Sequence, residues 1–348
     1  MKVSLQWLNQ YVDVSDFFSK PQDLAEIITQ AGLEVENLED SSVQYQHVVI
    51  GQVMELAKHP DADKLTLCQV DTGEGTLRQI VCGAKNHKQG DKVVVATPGA
   101  VLPGNFAIKK SKIRGVESLG MMCSEVELGL AEESAGIMIL PTDATVGVSF
   151  AEYQGLNDVL FELSVTPNRA DCLSHFGLAR ELSALLDRPL KMPDTSVKSN
   201  NKKTASLIEL NLQASDLCPR YAGRAIFNVK VGPSPKWLKQ SLEKIGLNSI
   251  NNIVDVTNYV MMELGQPLHA FDAHFLKGAK VTVTRANPGE VFTSLDGTEY
   301  QLQGDELTIR DGERAVALAG IVGGKNSGVN EDTENIFLES AFFTSYTV

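Results

Sequence analysis

A chain of 348 residues with 43% apolar residues, 22% charged residues and a formal net charge of −13 is a globular protein long enough for two or three domains. No apolar run approaches the roughly 18 residues that cross a bilayer, and the first residues lack the apolar stretch and cleavage site of a secretory signal, so no membrane is expected. Five cysteines without a CxxC pair suggest neither a disulfide framework nor a metal site, and point to a reducing, cytoplasmic compartment.

In chain order, MKVSLQWLNQYVDVSD predicts an amphipathic helix, with Ser4 as N-cap and Leu5, Leu8 and Val12 on one face. PQDLAEIITQAG predicts a second helix, stopped at Gly32. Residues 1–40 therefore read as helical. From 41 to 150 the character changes to short β-branched runs, HVVIGQVMEL, LTLCQVD, RQIVCGA and KVVVATPG, separated by Gly, Pro and Asp. This pattern predicts a small closed barrel, and five such strands fit an oligonucleotide-binding barrel. HPDADKL (59–65) reads as a loop held by Asp turn chemistry, its one His and two Asp being a thin ligand set for a cation.

The acidic whole argues against a nucleic-acid partner, yet binding is local. Between Val81 and Gly115 there are seven basic residues (Lys85, Lys88, Lys92, Lys109, Lys110, Lys112, Arg114) against Asp91 alone, a local charge of +6. A polyanion-binding face and a merely solvated one fit that charge equally. The aromatics of 41–150 are Tyr45, Phe106 and Phe150, too few to favour base stacking over backbone contact through Lys109, Lys110, Lys112 and Arg114.

From 151 to 190, NRADCLSHFGLARELSALLDRP predicts a helix capped by Asp171, with Leu178, Leu182 and Leu185 at helical spacing and Pro189 closing it. KMPDTSVKSNNKKTAS (191–206) is polar, basic and proline-containing, a linker. Beyond 207, PSPKWLKQSLEKIG predicts a helix with Ser234 as cap, Pro235 at its first position, Leu238, Leu242 and Ile245 on one face, and Gly246 as stop. DVTNYVMMELGQP predicts another, ending at Gly265. VTVTRA, VFTSL, TEYQL, LTIR and AVALAG read as strands, with turns at Asp296-Gly297 and Asp311-Gly312. The region is α+β.

Seven strings carry a resemblance: HPDADKL, QIVCGA, SLGMMCSEVELGL, VTPNRADCLSHFGLARE, CPRYAGR, VDVTNYVMMELGQPLHAFD and FLESAFF. In this order, over nearly the whole chain, they resemble the β subunits of bacterial phenylalanyl-tRNA synthetases. The resemblance implies a multidomain α+β protein. Residues 1–40 and 151–190 would form a split N-terminal α+β domain, 41–150 a tRNA-binding barrel of oligonucleotide-binding type inserted into it, and 191–206 the linker. Residues 207–348 would be an editing domain of B3/B4 type, short of its last elements. Family members act as α2β2 heterotetramers on tRNA(Phe). The ATP- and Mg2+-dependent charging site belongs to the α subunit, so neither cofactor nor metal is expected within these residues.

The implied chemistry is hydrolysis of tyrosine misplaced on tRNA(Phe). A pocket built for phenylalanine rejects an isostere with one extra hydroxyl only about 100-fold, so a second site sorts the products. Glu339, inside the apolar Ile336-Phe337-Leu338 run, stands where the family places the acceptor for the phenol. Thr257, Asn258, His269 and Gly320 map onto its catalytic pocket, with Ala319 and Gly323 on the substrate side and Gly324 beside them. Glycines let backbone approach a substrate. His269 would orient water or contact the terminal adenosine. Lys85 and Lys88 would join the barrel lysines in holding tRNA. No Ser-His-Asp or Cys-His constellation supports covalent catalysis. Ser241 and Asn248 stand where the family often carries arginine, which puts tRNA placement in question. The competing reading is a tRNA-binding and assembly module whose editing pocket does nothing.

Overall fold

The computed structural model describes residues 1–40 and 43–347. Residues 41, 42 and 348, where the expected start of the barrel and end of the last domain fall, lie outside it. Two compact units emerge: Asp16–Gln22 with Asn37–Phe161, and Met1–Ser15 with Asp23–Glu36 and Glu162–Val348.

The chain opens on strand β1 (Lys2–Ser4), and helix α1 covers only Leu5–Leu8. Ser4 is its N-cap, accepting from the Trp7 N–H at 3.0 Å. The long helix expected here does not form. Asn9 Oδ1 accepts from Val14 N–H at 2.8 Å and draws the following residues into a turn, where Tyr11, Val12 and Val14 are buried. Helix α2 (Pro21–Gln30) ends before Gly32 at φ +90°, and strand β2 (Glu34–Asp40) follows it. Two strands thus interrupt a stretch that reads as helical.

The barrel strands are β3 (Val48–Lys58), β4 (Thr66–Asp71), β5 (Leu77–Cys82) and β6 (Lys92–Ala96). Two small hairpins follow, β7 (Val101–Leu102) with β8 (Phe106–Ala107) and β9 (Ser111–Ile113) with β10 (Val116–Ser118). Strands β11 (Met121–Met122) and β12 (Ile139–Leu140) both pair with β6, giving the order β11–β6–β3–β4–β5. The sheet nearly closes because the segment that pairs with β6 at Met121 also reaches β5: Leu119 N–H donates to Gln79 O at 2.8 Å and Val81 N–H to Ser118 Oγ at 3.1 Å.

Strand β6 has no polar face between Val93 and Ala96. Val93 and Val95 join Val53, Val70 and Ile80 in one cluster, whereas Val94 and Ala96 join Val48, Ile50 and Phe150 in another. Gly51 keeps the first cluster tight, since a Cβ there would stand 2.8 Å from both Val70 and Val95 methyls. Helix α3 (Phe150–Gln154), capped by Ser149, brings Phe150 to the second cluster.

Strand β13 (Val159–Ser164) completes a three-stranded sheet in the order β1–β13–β2. Helix α4 (His175–Leu185) is capped by Ser174, which accepts from Gly177 N–H at 3.0 Å, and not by Asp171. Asp171 lies a turn earlier, in a 3-10 turn, where Arg169 engages its carboxylate. Leu178 and Leu182 are buried, while Leu185 is exposed. Residues 191–203 carry no helix or strand.

The third region packs two sheets. Strands β14 (Glu209–Leu212), β17 (Lys280–Arg285), β20 (Leu307–Arg310), β21 (Ala315–Leu318) and β22 (Val322–Gly323) lie in that order in one. The other has β15 (Arg220–Phe227), β23 (Asn335–Phe342) and β16 (Leu268–Asp272), with β23 central. Both feed one core: Phe271 and Phe337 from the second sheet meet Val281, Val283, Ile309 and Val316 from the first. Each such side chain contributes about 1.5–3 kcal/mol on burial. A small hairpin, β18 (Val291–Thr293) with β19 (Glu299–Gln301), turns at Gly297, φ +88°.

Helix α5 (Lys236–Lys244) starts behind Pro235, which occupies the cap position, and Ser234 makes no cap bond. The Ser234 hydroxyl donates to the buried Asp255 carboxylate at 2.5 Å, a charged and therefore strong acceptor. Helix α6 (Asn252–Leu264) is capped by Asn251, which accepts from Ile253 and Val254 N–H at 3.0 Å, and ends at left-handed Gly265.

Candidate functional site

In the third region, strands β16 and β23 and the turn between β21 and β22 enclose a cavity of about 470 Å³. Leu268, Ile321, Val322 and Phe342 give it apolar walls, and Glu339, His269 and Gln266 are the side chains that bring hydrogen-bonding groups to it. Register explains the pairing of the first two: His269 on β16 lies directly across from Glu339 on the central β23, so both project to one face.

Glu339 is 8% exposed. Burial pushes its carboxyl up to about 7, and the Tyr221 phenol, donating to Oε2 at 2.5 Å, opposes that rise. The Tyr221 hydroxyl is itself held well above the ordinary phenol range by burial and by the carboxylate beside it. His269 is driven down to about 4 by burial, so its ring is neutral near pH 7. Its ring packs edge-on against Phe271 at 4.4 Å, and its buried Nε2 has no partner among the described residues.

The glycines act by absence of a side chain. A Cβ on Gly323 would stand 2.6 Å from His269 Cε1 and 2.9 Å from Nε2, so only glycine leaves the imidazole its place. Gly320 sits at φ +73° in the turn. Ala319 N–H donates to Leu307 O at 2.9 Å and Ile321 N–H to Leu318 O at 3.1 Å, which leaves the Gly320 N–H between them without a backbone partner among the described residues. Gly324 turns its N–H onto Val316 O at 2.7 Å.

The cavity therefore gathers Glu339, His269, Ala319, Gly320 and Gly323. Thr257 and Asn258 are not among its lining residues. Thr257 is buried on α6 with its hydroxyl donating to Val254 O at 2.7 Å, a bond within its own helix. Tyr221, to which sequence reading attaches no role, lies in the quoted CPRYAGR run; its relation to Glu339 is a strand-to-strand contact with no local signal.

On the barrel, Lys109, Lys110, Lys112 and Arg114 are all exposed, as are Lys85 and Lys88. Arg114 (φ +49°) and Gly115 (φ +85°) form the two-residue turn between β9 and β10, which both left-handed positions identify as the mirror-type hairpin turn. Lys112 stands opposite Glu117 in that hairpin, and Lys110 Nζ pairs with Glu117 at 2.9 Å. Beside them, Lys109 lines a cavity of about 700 Å³ with Phe106, Ile113 and Met121. Tyr45 and Phe150 are core residues, packed edge-to-face at 5.3 Å, whereas Phe106 is 52% exposed.

Three groups with metal-like spacing are otherwise engaged. Cys172 and His175 stand at CxxH spacing, but His175 Nδ1 donates to Met262 O at 2.9 Å and Nε2 accepts from Ser4 N–H at 3.1 Å. Asp171, Cys172 and Glu181 lie close together around Arg169, which donates to Asp171 at 3.1 Å and to Glu181 at 2.8 Å. His59 of HPDADKL likewise spends both nitrogens locally, on Asp61 N–H and Ile113 O at 3.1 Å each.

Residues 48–149 match the family model described as "Putative tRNA binding domain", and residues 217–348 match the B3/4 domain. The chain is 64% identical over 343 residues to the phenylalanine–tRNA ligase β subunit of Bdellovibrio bacteriovorus, 54% over 343 residues to that of Geobacter metallireducens and 50% over 344 residues to that of Fusobacterium nucleatum. These matches cover 99% of the chain and 42–43% of each relative, so the chain spans less than half the length of the proteins it resembles. Carrying both domains, and alike over nearly its whole length to these subunits, the chain belongs to the bacterial phenylalanine–tRNA ligase β subunits, whose N-terminal part it represents.

Proposed function

We propose that this chain holds tRNA(Phe) on its barrel and hydrolyses tyrosine misplaced on that tRNA in the cavity around Glu339. The observation that carries the reading is a nearly buried carboxylate inside an apolar-walled cavity of amino-acid size, facing a neutral histidine. An acceptor so placed bonds a phenol and is left short of a partner by a phenylalanine ring. A bond to a charged group contributes about 1.5–3 kcal/mol, or roughly 10- to 150-fold in selectivity.

In this reading water adds to the ester carbonyl, the bond to the terminal ribose oxygen breaks, and that oxygen takes a proton as tyrosine leaves. The Gly320 N–H, which has no backbone partner among the described residues, is suited to the developing oxyanion. His269, with its imidazolium disfavoured, is a weak proton acceptor but a good hydrogen-bond partner for an attacking water through Nε2. Exposed Lys109, Lys112 and Arg114 would hold phosphates, with Phe106 available to a base. As in the family, the chain would serve protein biosynthesis in the cytoplasm within an α2β2 assembly, with ATP and Mg2+ used at the α subunit.

A second reading, tRNA binding and assembly without hydrolysis, draws on Thr257 and Asn258 lying outside the cavity lining. Incubation of the chain with tyrosyl- and phenylalanyl-tRNA separates the two. Selective release of tyrosine, flattened by Glu339→Gln, is the expected outcome. Retained tRNA binding with no release of either amino acid would overturn the hydrolytic reading in favour of the second.

A further inference from the structure

The Glu339 carboxylate is already bonded by a phenol, and that phenol belongs to the chain. Tyr221 reaches Oε2 at 2.5 Å, and no second protein donor reaches the carboxylate among the described residues. The two are not direct strand partners: Glu339 lies across from Gly223, and Tyr221 across from Ala341. The contact is therefore diagonal, across a position with no side chain. A Cβ at Gly223 would fall 2.1 Å from Phe337 Cζ, so the space beside the carboxylate is given to that ring.

We propose that Tyr221 is a specificity-positioning residue: by holding Oε2 with its own phenol, it fixes Glu339 and leaves Oε1 as the one acceptor offered to a substrate phenol. The proposal rests on the editing reading above and deepens it. A carboxylate free to rotate in an apolar cavity would meet a ligand in several orientations, whereas one oxygen tied down fixes the direction of the other. The remaining titratable groups around Glu339 bring no positive charge. Cys218, ahead of β15, is held as a thiol by burial and by the carboxylate itself. His269, from β16, is neutral, and the turn at Ala319–Gly323 contributes none. The Tyr221 hydrogen bond is thus the interaction that favours the ionised form against burial.

The test measures release of tyrosine and of phenylalanine from the two aminoacyl-tRNAs across a pH series, for the full chain, Tyr221→Phe, Glu339→Gln and the double variant. In the wild type, tyrosine preference fades as pH falls through the Glu339 titration. Tyr221→Phe removes the bond that lowers this titration, so the midpoint moves up by about one pH unit. Preference at neutral pH then falls about tenfold, with phenylalanine release unchanged. In the Glu339→Gln background the same change adds nothing. 3-Fluorotyrosine placed at 221 keeps the shape and strengthens the donor, so it moves the midpoint down. Equal loss on both substrates, or an unmoved midpoint in both Tyr221 variants, overturns the assignment while leaving the editing reading intact. A wild type with no tyrosine preference at any pH overturns the editing reading and this proposal with it.

Discussion

Gly323→Ala tests whether the cavity's histidine is held by the absence of a neighbouring side chain. The backbone at 323 is not left-handed, so alanine is unstrained and the added methyl is the whole perturbation. That carbon would lie 2.6 Å from His269 Cε1, 2.9 Å from Nε2 and 3.0 Å from Leu295 Cδ1. The ring cannot simply swing aside, because Phe271 packs against it at 4.4 Å. Overpacking of this kind costs about 1–3 kcal/mol. For a region of this size each kcal/mol lowers Tm by about 2–4 °C. The displaced imidazole also loses its aim at the cavity, and if His269 orients the attacking water as proposed, that misplacement costs about 10²-fold in rate. Thermal unfolding and tyrosyl-tRNA hydrolysis are measured on the same preparation. A variant that melts and hydrolyses like the wild type would refute the claim that Gly323 places His269. One that melts lower but hydrolyses normally would leave the packing argument and remove the histidine from the chemistry.

Glu339 should also mark the pH dependence of stability. Its folded titration, raised to about 7 from 4.5, means that the folded state holds the proton more tightly; the stability so gained is full below about pH 4.5 and is lost as pH rises to about 7. Urea unfolding at the two ends of that window should show wild type losing about 3 kcal/mol relative to Glu339→Gln, and parallel behaviour would contradict the burial of the charge. On the barrel, Lys109→Ala should weaken tRNA binding and reduce its salt slope by about one unit. Lys110→Ala should do less, because Glu117 already neutralises it at 2.9 Å. Filter binding over a salt series decides the order, and equal effects would deny that pairing in solution.

What could be read before the structure follows from where the signals lie. The barrel strands were legible because turn residues bracket β-branched runs, and α6 because Gly265 marks its end. Asp171 and Ser234 look like caps by residue type. In both places the helix starts further along, behind Ser174 and behind Pro235; Asp171 is engaged by Arg169 two residues before it, and Ser234 by Asp255 across 21 residues. The short α1 was hidden because the apolar residues that suggest a helical face are buried from a turn, which Asn9 closes onto Val14 N–H. At the cavity, Glu339 announces itself as a lone charge among apolar neighbours. Tyr221 does not, because its partner is 118 residues away and depends on strand register. Thr257 shows what a motif leaves open: it does not say that the hydroxyl donates within its own helix or that the residue stands outside the cavity lining.

Strand β6, apolar on both sides between Val93 and Ala96, ties the two hydrophobic clusters of its unit to one backbone. Neither cluster can open without exposing residues whose neighbours in sequence anchor the other, so the two melt as one cooperative unit. Amide hydrogens along β6 should then exchange only by global opening of the barrel, and a cavity cut at Val94 would loosen Val93 and Val95 on the far face as surely as its own.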